Sequence, residues 1–215
     1  MLVVGDGLRA VSSLLCLGAH SDDIEIGCGG TVMKLVSANP DLEVRWVVLS
    51  AEGERAEEAR AGADSFLRGS AKPEVEIESF RERYFPHVPE LKEFFDALGD
   101  RVSPDLVLTH HGGDAHQDHR TVSELTWNTF RDHAILEYEI PKYDGDLGRP
   151  NAFVSLDEDM AHRKVRSIVE AFPSQATRDW FGEDTLLGLL RLRGIEARSP
   201  GGYAEAFHAR KLVLA

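Results

Sequence analysis

The stretch Leu14-Leu15-Cys16-Leu17-Gly18-Ala19-His20-Ser21-Asp22-Asp23 passes within ten residues from an unbroken apolar run to a cluster of metal-ligating side chains. A run that is apolar on both faces suits a central strand covered by helices on either side. The loop leaving the carboxyl end of such a strand is where sites collect in open α/β sheets.

The pattern repeats outward from this point. Residues 27–38 carry Val32, Leu35 and Val36 at helical spacing, and Asn39-Pro40 stops them. Residues 44–49 read as a second strand, 52–67 as an Ala-, Glu- and Arg-rich helix, and 75–80 as a third strand. A helix is expected over 89–102, with Leu91, Phe94, Phe95 and Leu98 on one face. Leu106-Val107-Leu108 is a fourth buried strand, ending in Thr109-His110-His111. Helix over 120–130, strand over 134–140, a loop over 142–150 and a short strand over 152–156 follow. Asp157 caps a helix to about residue 172, then come a helix over 185–195 and a last strand over 211–214. This alternation predicts a Rossmann-like α/β fold: one domain spanning 1–215 with a short lead-in over 1–10, and a mostly parallel sheet with helices on both faces.

Composition narrows the function. The chain has 215 residues, 42% of them hydrophobic, and a net charge of −13. A phosphate backbone would be repelled, so nucleic acid is not an expected partner. The longest early apolar run, 11–19, is too short to span a bilayer, and no cationic block precedes it as in a secretory signal. The two cysteines, Cys16 and Cys28, read as reduced thiols of a cytoplasmic protein. Oligomeric state is left open, homo-oligomers included.

Two strand ends carry the chemistry: Ala19-His20-Ser21-Asp22-Asp23 and Asp114-Ala115-His116-Gln117-Asp118-His119. Taken singly, each reads as a helix cap or turn; together, each after a buried strand, they point to a metal site. His20 and Asp23 are three residues apart, as are His116 and His119, so each pair can face one way. His20, Asp23 and His119 would supply two imidazoles and a carboxylate, leaving a position open on one Zn2+. Asp22 diverges from Asp23 and suits a general base, while His116 suits an oxyanion partner or proton donor. Asp118 would orient a histidine through its second ring nitrogen. The same groups would also serve iron in an oxygenase, or two metals in a phosphoesterase. Gly27-Cys28-Gly29-Gly30 lacks the dinucleotide fingerprint, and no serine sits in a nucleophile elbow.

These motifs resemble the LmbE-like, or PIG-L de-N-acetylase, family. Its Ala-His-Pro-Asp-Asp motif reads Ala19-His20-Ser21-Asp22-Asp23 here, continuing into Ile24 to Gly30, and its His-x-Asp-His motif reads His116-Gln117-Asp118-His119. Weaker matches are Arg55-x-x-Glu58, Pro173-Ser174-Gln175 and Ala204-Glu205-Ala206-Phe207. The resemblance implies a Rossmann-like fold with one zinc on His20, Asp23 and His119, Asp22 as base and His116 as electrostatic or acid partner. It implies Arg55 as a substrate contact, and hydrolysis of an N-acetyl group on an amino sugar or glycoconjugate. Ser21 stands where the family has proline, and Asp114 where some members carry a tyrosine that aids the intermediate; Asp114 is accordingly expected at the substrate rim or as a loop cap. The competing expectations are a metal-dependent phosphoesterase and a non-catalytic sugar-binding protein that keeps the fold.

Overall fold

Residues 10–211 are described by the computed structural model. Strands β1 (Ser13–His20), β2 (Glu43–Ser50), β3 (Lys72–Ile77), β4 (Leu106–His110), β5 (Ala134–Tyr138), β6 (Ala152–Leu156) and β7 (Tyr203–His208) form one seven-stranded sheet in the order β3-β2-β1-β4-β5-β7-β6. The first five strands in that order are parallel, and β7 runs antiparallel to both β5 and β6. Helices α1 (Asp23–Ala38), α2 (Glu54–Phe66), α3 (Pro89–Arg101), α4 (Gln117–Thr129), α5 (Glu158–Ala171) and α6 (Glu183–Ala197) connect them.

Side-chain alternation along the strands builds two cores. Leu14 and Cys16 of β1, with Trp46 and Val48 of β2, pack under α1, α2, α5 and α6. Leu15, Leu17 and Ala19, with Val47 and Leu49, pack under α3 and α4. Both sheet faces are thus buried, which is why the strand sequences read as continuous apolar runs. The strand order reverses between β1 and β4, and their ladder pairs only Leu14–Cys16 with Leu106–Leu108. Beyond it the two strands part and open a crevice at their carboxyl ends, the usual location of ligand sites in such sheets.

Several boundaries differ from expectation. Helix α1 starts at Asp23, not at residue 27, and carries its glycines inside the helix. Glycine costs roughly 1 kcal/mol there relative to alanine, and close packing overrides that preference. A Cβ on Gly27 would lie 2.2 Å from the Tyr138 ring, and one on Gly29 2.3 Å from Phe66. Helix α4 starts at Gln117, capped by His116, rather than at residue 120. β3 is shifted to Lys72–Ile77, and β5 stops at Tyr138. The last described strand is Tyr203–His208, whereas one was expected over 211–214; Lys211 lies in no strand, and 212–215, like most of the expected lead-in, fall outside the described residues.

β7 escapes a pattern reading because a buried charge sits in its middle. Glu205 is 2% exposed. Its carboxylate accepts from the Gly30 and Thr31 N–H groups at 2.7 Å each and from the Lys164 ammonium at 2.6 Å, and Lys164 also donates to the Ile26 carbonyl at 2.6 Å. One acid therefore pins α1 and α5 to the sheet. Replacing Glu205 by alanine leaves the buried Lys164 ammonium without its counter-charge, and should cost about 3–5 kcal/mol. Urea unfolding checks it; a loss under about 1 kcal/mol would show that the network carries little.

Candidate metal centre

β1 delivers His20 to the crevice, and the turn after it delivers Asp22 and Asp23. β4 delivers His110; the loop after it delivers Asp114, and the first turn of α4 delivers His116, Asp118 and His119. His20 Nδ1 lies 3.4 Å from Asp23 Oδ2 and 3.3 Å from His119 Nε2, and His119 Nε2 lies 3.5 Å from Asp23 Oδ1. The three expected ligands therefore converge on one point.

The outer nitrogen of each histidine is backed by a carboxylate. Asp118 Oδ2 lies 3.3 Å from His20 Nε2, and Asp114 Oδ2 lies 2.9 Å from His119 Nδ1. This arrangement fixes ring orientation and frees the inward nitrogens as donors. Two imidazoles and a carboxylate with separation of this order, each imidazole oriented from behind, form a donor set that fits a zinc-type divalent ion. Asp114 was expected at the rim, but it is 4% exposed and points inward: one oxygen holds His119, and the other accepts from the His116 N–H at 2.7 Å. It orients a candidate ligand and caps the loop, as the alternative reading of this residue had it.

Sequence spacing gives His110 no role beyond the end of a buried strand. It is fully buried, and its ring stacks on His119 with centroids 3.9 Å apart. Its Nε2 lies 3.0 Å from the Ala19 nitrogen and 3.2 Å from Asp23 Oδ2, and its Nδ1 has no partner. Two further trios of donors are grouped within 4.8 Å: His20 with His116 and His119, and Asp23 with His110 and His119. His116 Nδ1 accepts from the Asp118 N–H at 3.3 Å, so the proton of its neutral ring sits on Nε2.

Electrostatics follow from this crowding. Burial opposes a charge on His20, but its contacts with Asp118 and Asp23 outweigh burial and raise it to about 10. Burial likewise opposes ionisation of Asp23, yet the nearby His119 and His110 hold it well below the usual carboxylate range. Asp22 goes the other way: burial and the adjacent Asp23 push it up, and Arg55 partly offsets them. Arg55 Nη2 lies 3.3 Å from Asp22 Oδ2, and its Nη1 donates to Glu58 Oε2 at 2.8 Å and to Ser174 Oγ at 3.2 Å. The Arg-x-x-Glu and Pro-Ser-Gln segments, distant in sequence, thus meet beside Asp22.

The chain is thus a Rossmann-like α/β protein with a histidine–carboxylate cluster at the switch point of its sheet. Residues 15–130 match the family described as PIG-L, GlcNAc-PI de-N-acetylase, and the chain belongs to that family. Among solved structures, it resembles the N,N′-diacetylchitobiose deacetylase of Pyrococcus horikoshii, with a TM-score of 0.74 and 19% identity over 97% of this chain and 87% of that one. It also resembles GalB, the 4-carboxy-2-hydroxymuconate hydratase of Pseudomonas putida KT2440, at TM-score 0.75 and 18% identity over 95% and 98% of the chains. The A40926 pseudoaglycone deacetylase Dbv21 matches at TM-score 0.69 and 17% identity over 95% and 99%. At these identities the structural likenesses establish the fold. No described helix is long and apolar enough to cross a membrane.

Substituting either outer carboxylate, Asp114→Asn or Asp118→Asn, should weaken zinc binding by about 10–100-fold. Competition against a chromogenic chelator measures it, with circular dichroism as the control for folding. Unchanged affinity in both variants would show that these carboxylates do not serve the centre.

Proposed function

We propose that the chain is a zinc-dependent hydrolase that cleaves an acyl–nitrogen bond, removing acetyl from an N-acetylated amino sugar or glycoconjugate. The observation that carries this reading is the approach of His20 Nδ1, Asp23 and His119 Nε2 to within 3.3–3.5 Å of one another at the open edge of the sheet. Family membership supports the deacetylase class. The fold alone does not choose it, since a hydratase shares that fold.

His20, Asp23 and His119 would hold the ion. Bound there, zinc supplies Lewis acidity toward the acyl oxygen and makes water easier to deprotonate. Asp22 is the residue next to a ligand but not shared with it, and it accepts the proton of the attacking water. Burial and the neighbouring carboxylate raise its affinity for that proton, which suits a base working near neutral pH. Arg55 keeps the Asp22 carboxylate oriented and is itself anchored by Glu58 and Ser174. At 29% side-chain exposure Arg55 also retains a face for substrate hydroxyls.

His116 stands on the other side, its ring centroid 4.9 Å from that of His20 and 4.7 Å from that of His119. With Nδ1 occupied by a backbone donor, its Nε2–H is the group that can donate to the oxygen on which charge develops, or to the departing nitrogen. Asp118 is fully buried behind His20 and acts through it.

A panel of N-acetylated sugars assayed for acetate release, with and without a chelator, tests the reading. Asp22→Asn should lower kcat by at least about 100-fold while the zinc content stays the same. A variant that keeps near-normal turnover would remove Asp22 from the role of base. A metal-loaded chain that hydrolyses no member of the panel would remove the deacetylase assignment.

A further inference from the structure

The ladder between β1 and β4 stops after Cys16 and Leu108, while β1 stays paired with β2 as far as His20. Where the ladder has ended, a side chain of β4 stands in for its backbone. The Ala19 N–H is aimed at His110 Nε2 across 3.0 Å. The same nitrogen stands 3.2 Å from Asp23 Oδ2, and that oxygen accepts from the His20 N–H at 2.6 Å. The turn that carries two of the three candidate ligands is thus registered against one edge of the His110 ring.

The face of the ring meets the third ligand. It stacks on His119 with centroids 3.9 Å apart and planes 23° apart. Asp114 restrains His119 at its outer nitrogen. A hydrogen bond at one atom leaves a ring free to tip about that point, and a stacked neighbour takes that freedom away. His110 is itself held in place: the Tyr138 ring packs against it at 4.8 Å between centroids, and the Tyr138 hydroxyl donates to the Leu17 carbonyl at 2.6 Å. The His110 ring is fully buried, and its Nδ1 has no partner. A phenylalanine would fill the same space without leaving a polar atom unmet, so packing alone does not account for an imidazole here.

We propose, resting on the zinc reading above, that His110 is a positioning residue of the metal centre. Its edge sets the turn that carries His20 and Asp23, its face sets His119, and together they fix the gap that the ion fills. A preorganised centre needs its donors held to within about 0.5 Å. These donors come from two segments with no ladder between them, so strand pairing does not set their separation. His110 contacts both segments and supplies the missing spacer. It touches no substrate and acts only through the three ligands.

Three variants separate the two contacts. His110→Phe keeps a stacked face and loses Nε2; His110→Gln returns a polar group close to where Nε2 stands but no ring; His110→Leu loses both. Zinc affinity is read by competition against a chromogenic chelator. Ligand arrangement is read from the visible absorption of the cobalt-loaded protein, and folding from urea unfolding of the metal-free chain. His110→Phe and His110→Gln should each weaken zinc about tenfold and alter the cobalt spectrum, and His110→Leu should weaken zinc about 100-fold. A purely structural role would lower the urea midpoint and leave the spectrum of the folded fraction as it was. That result overturns the proposal, as does parental zinc affinity in every variant that folds. Should His110→Leu fail to fold, the Phe and Gln variants decide the matter by the same two readings. An unsubstituted chain that takes up neither ion overturns the zinc reading and this one together. An unsubstituted chain that binds zinc tightly but releases no acetate sinks the deacetylase reading alone, and variants that bind both ions as the parent does sink this proposal alone.

Discussion

Bringing His20, Asp23 and His119 to one point is an electrostatic problem before it is a chemical one. The crevice between β1 and β4 concentrates carboxylates and imidazoles that are almost wholly removed from water, Asp23 and His119 at 3% exposure and Asp118 and His110 at none. Buried carboxylates are tolerated only with partners. Asp118 and Asp114 find theirs in the outer nitrogens of the histidines, in backbone N–H groups and in Lys142. What remains at the inner point is a set of electron-pair donors facing one another, an arrangement that asks for a cation. The reversal of strand order makes it possible, since only where neighbouring strands part can two loops turn toward each other without a ladder between them.

The parts of the fold that could be read in advance are those where burial and periodicity agree. Leu14 to Leu17, Trp46 to Leu49 and Leu106 to Leu108 are apolar because helices cover both faces, and these strands lie where expected. The parts that could not be read are those where a long-range contact overrides local preference. α1 keeps glycines at 27, 29 and 30 because Tyr138, Phe66 and Leu156 press against its backbone. β7 keeps a glutamate because two α1 amides and Lys164 await it. Neither partner is near in sequence, so neither leaves a local signature.

The candidate site divides in the same way. His20, Asp23 and His119 were legible because ligand chemistry demands particular residue types at particular spacings. Arg55 was placed beside the site by resemblance, and it does stand there, against Asp22. His110 left no signal, because a histidine at the end of a buried strand looks the same whether it faces a carboxylate or a hydrophobic neighbour. Lys142 left none either: in a loop of Asp, Gly and Pro, a lysine reads as solvated, yet its side chain is 11% exposed. Asp114 was singled out for its position in the motif, but its direction depends on a backbone turn that spacing does not encode.

The glycines inside α1 bear on how the chain assembles. A segment so poor in intrinsic helix preference has little tendency to coil before it docks, because its amides at Gly30 and Thr31 await an acid supplied 175 and 174 positions later in the chain. A nascent chain that has not yet received β7 therefore lacks a firm seat for the very helix that carries Asp23. The crevice between β1 and β4 is then completed only when the far end of the sheet closes.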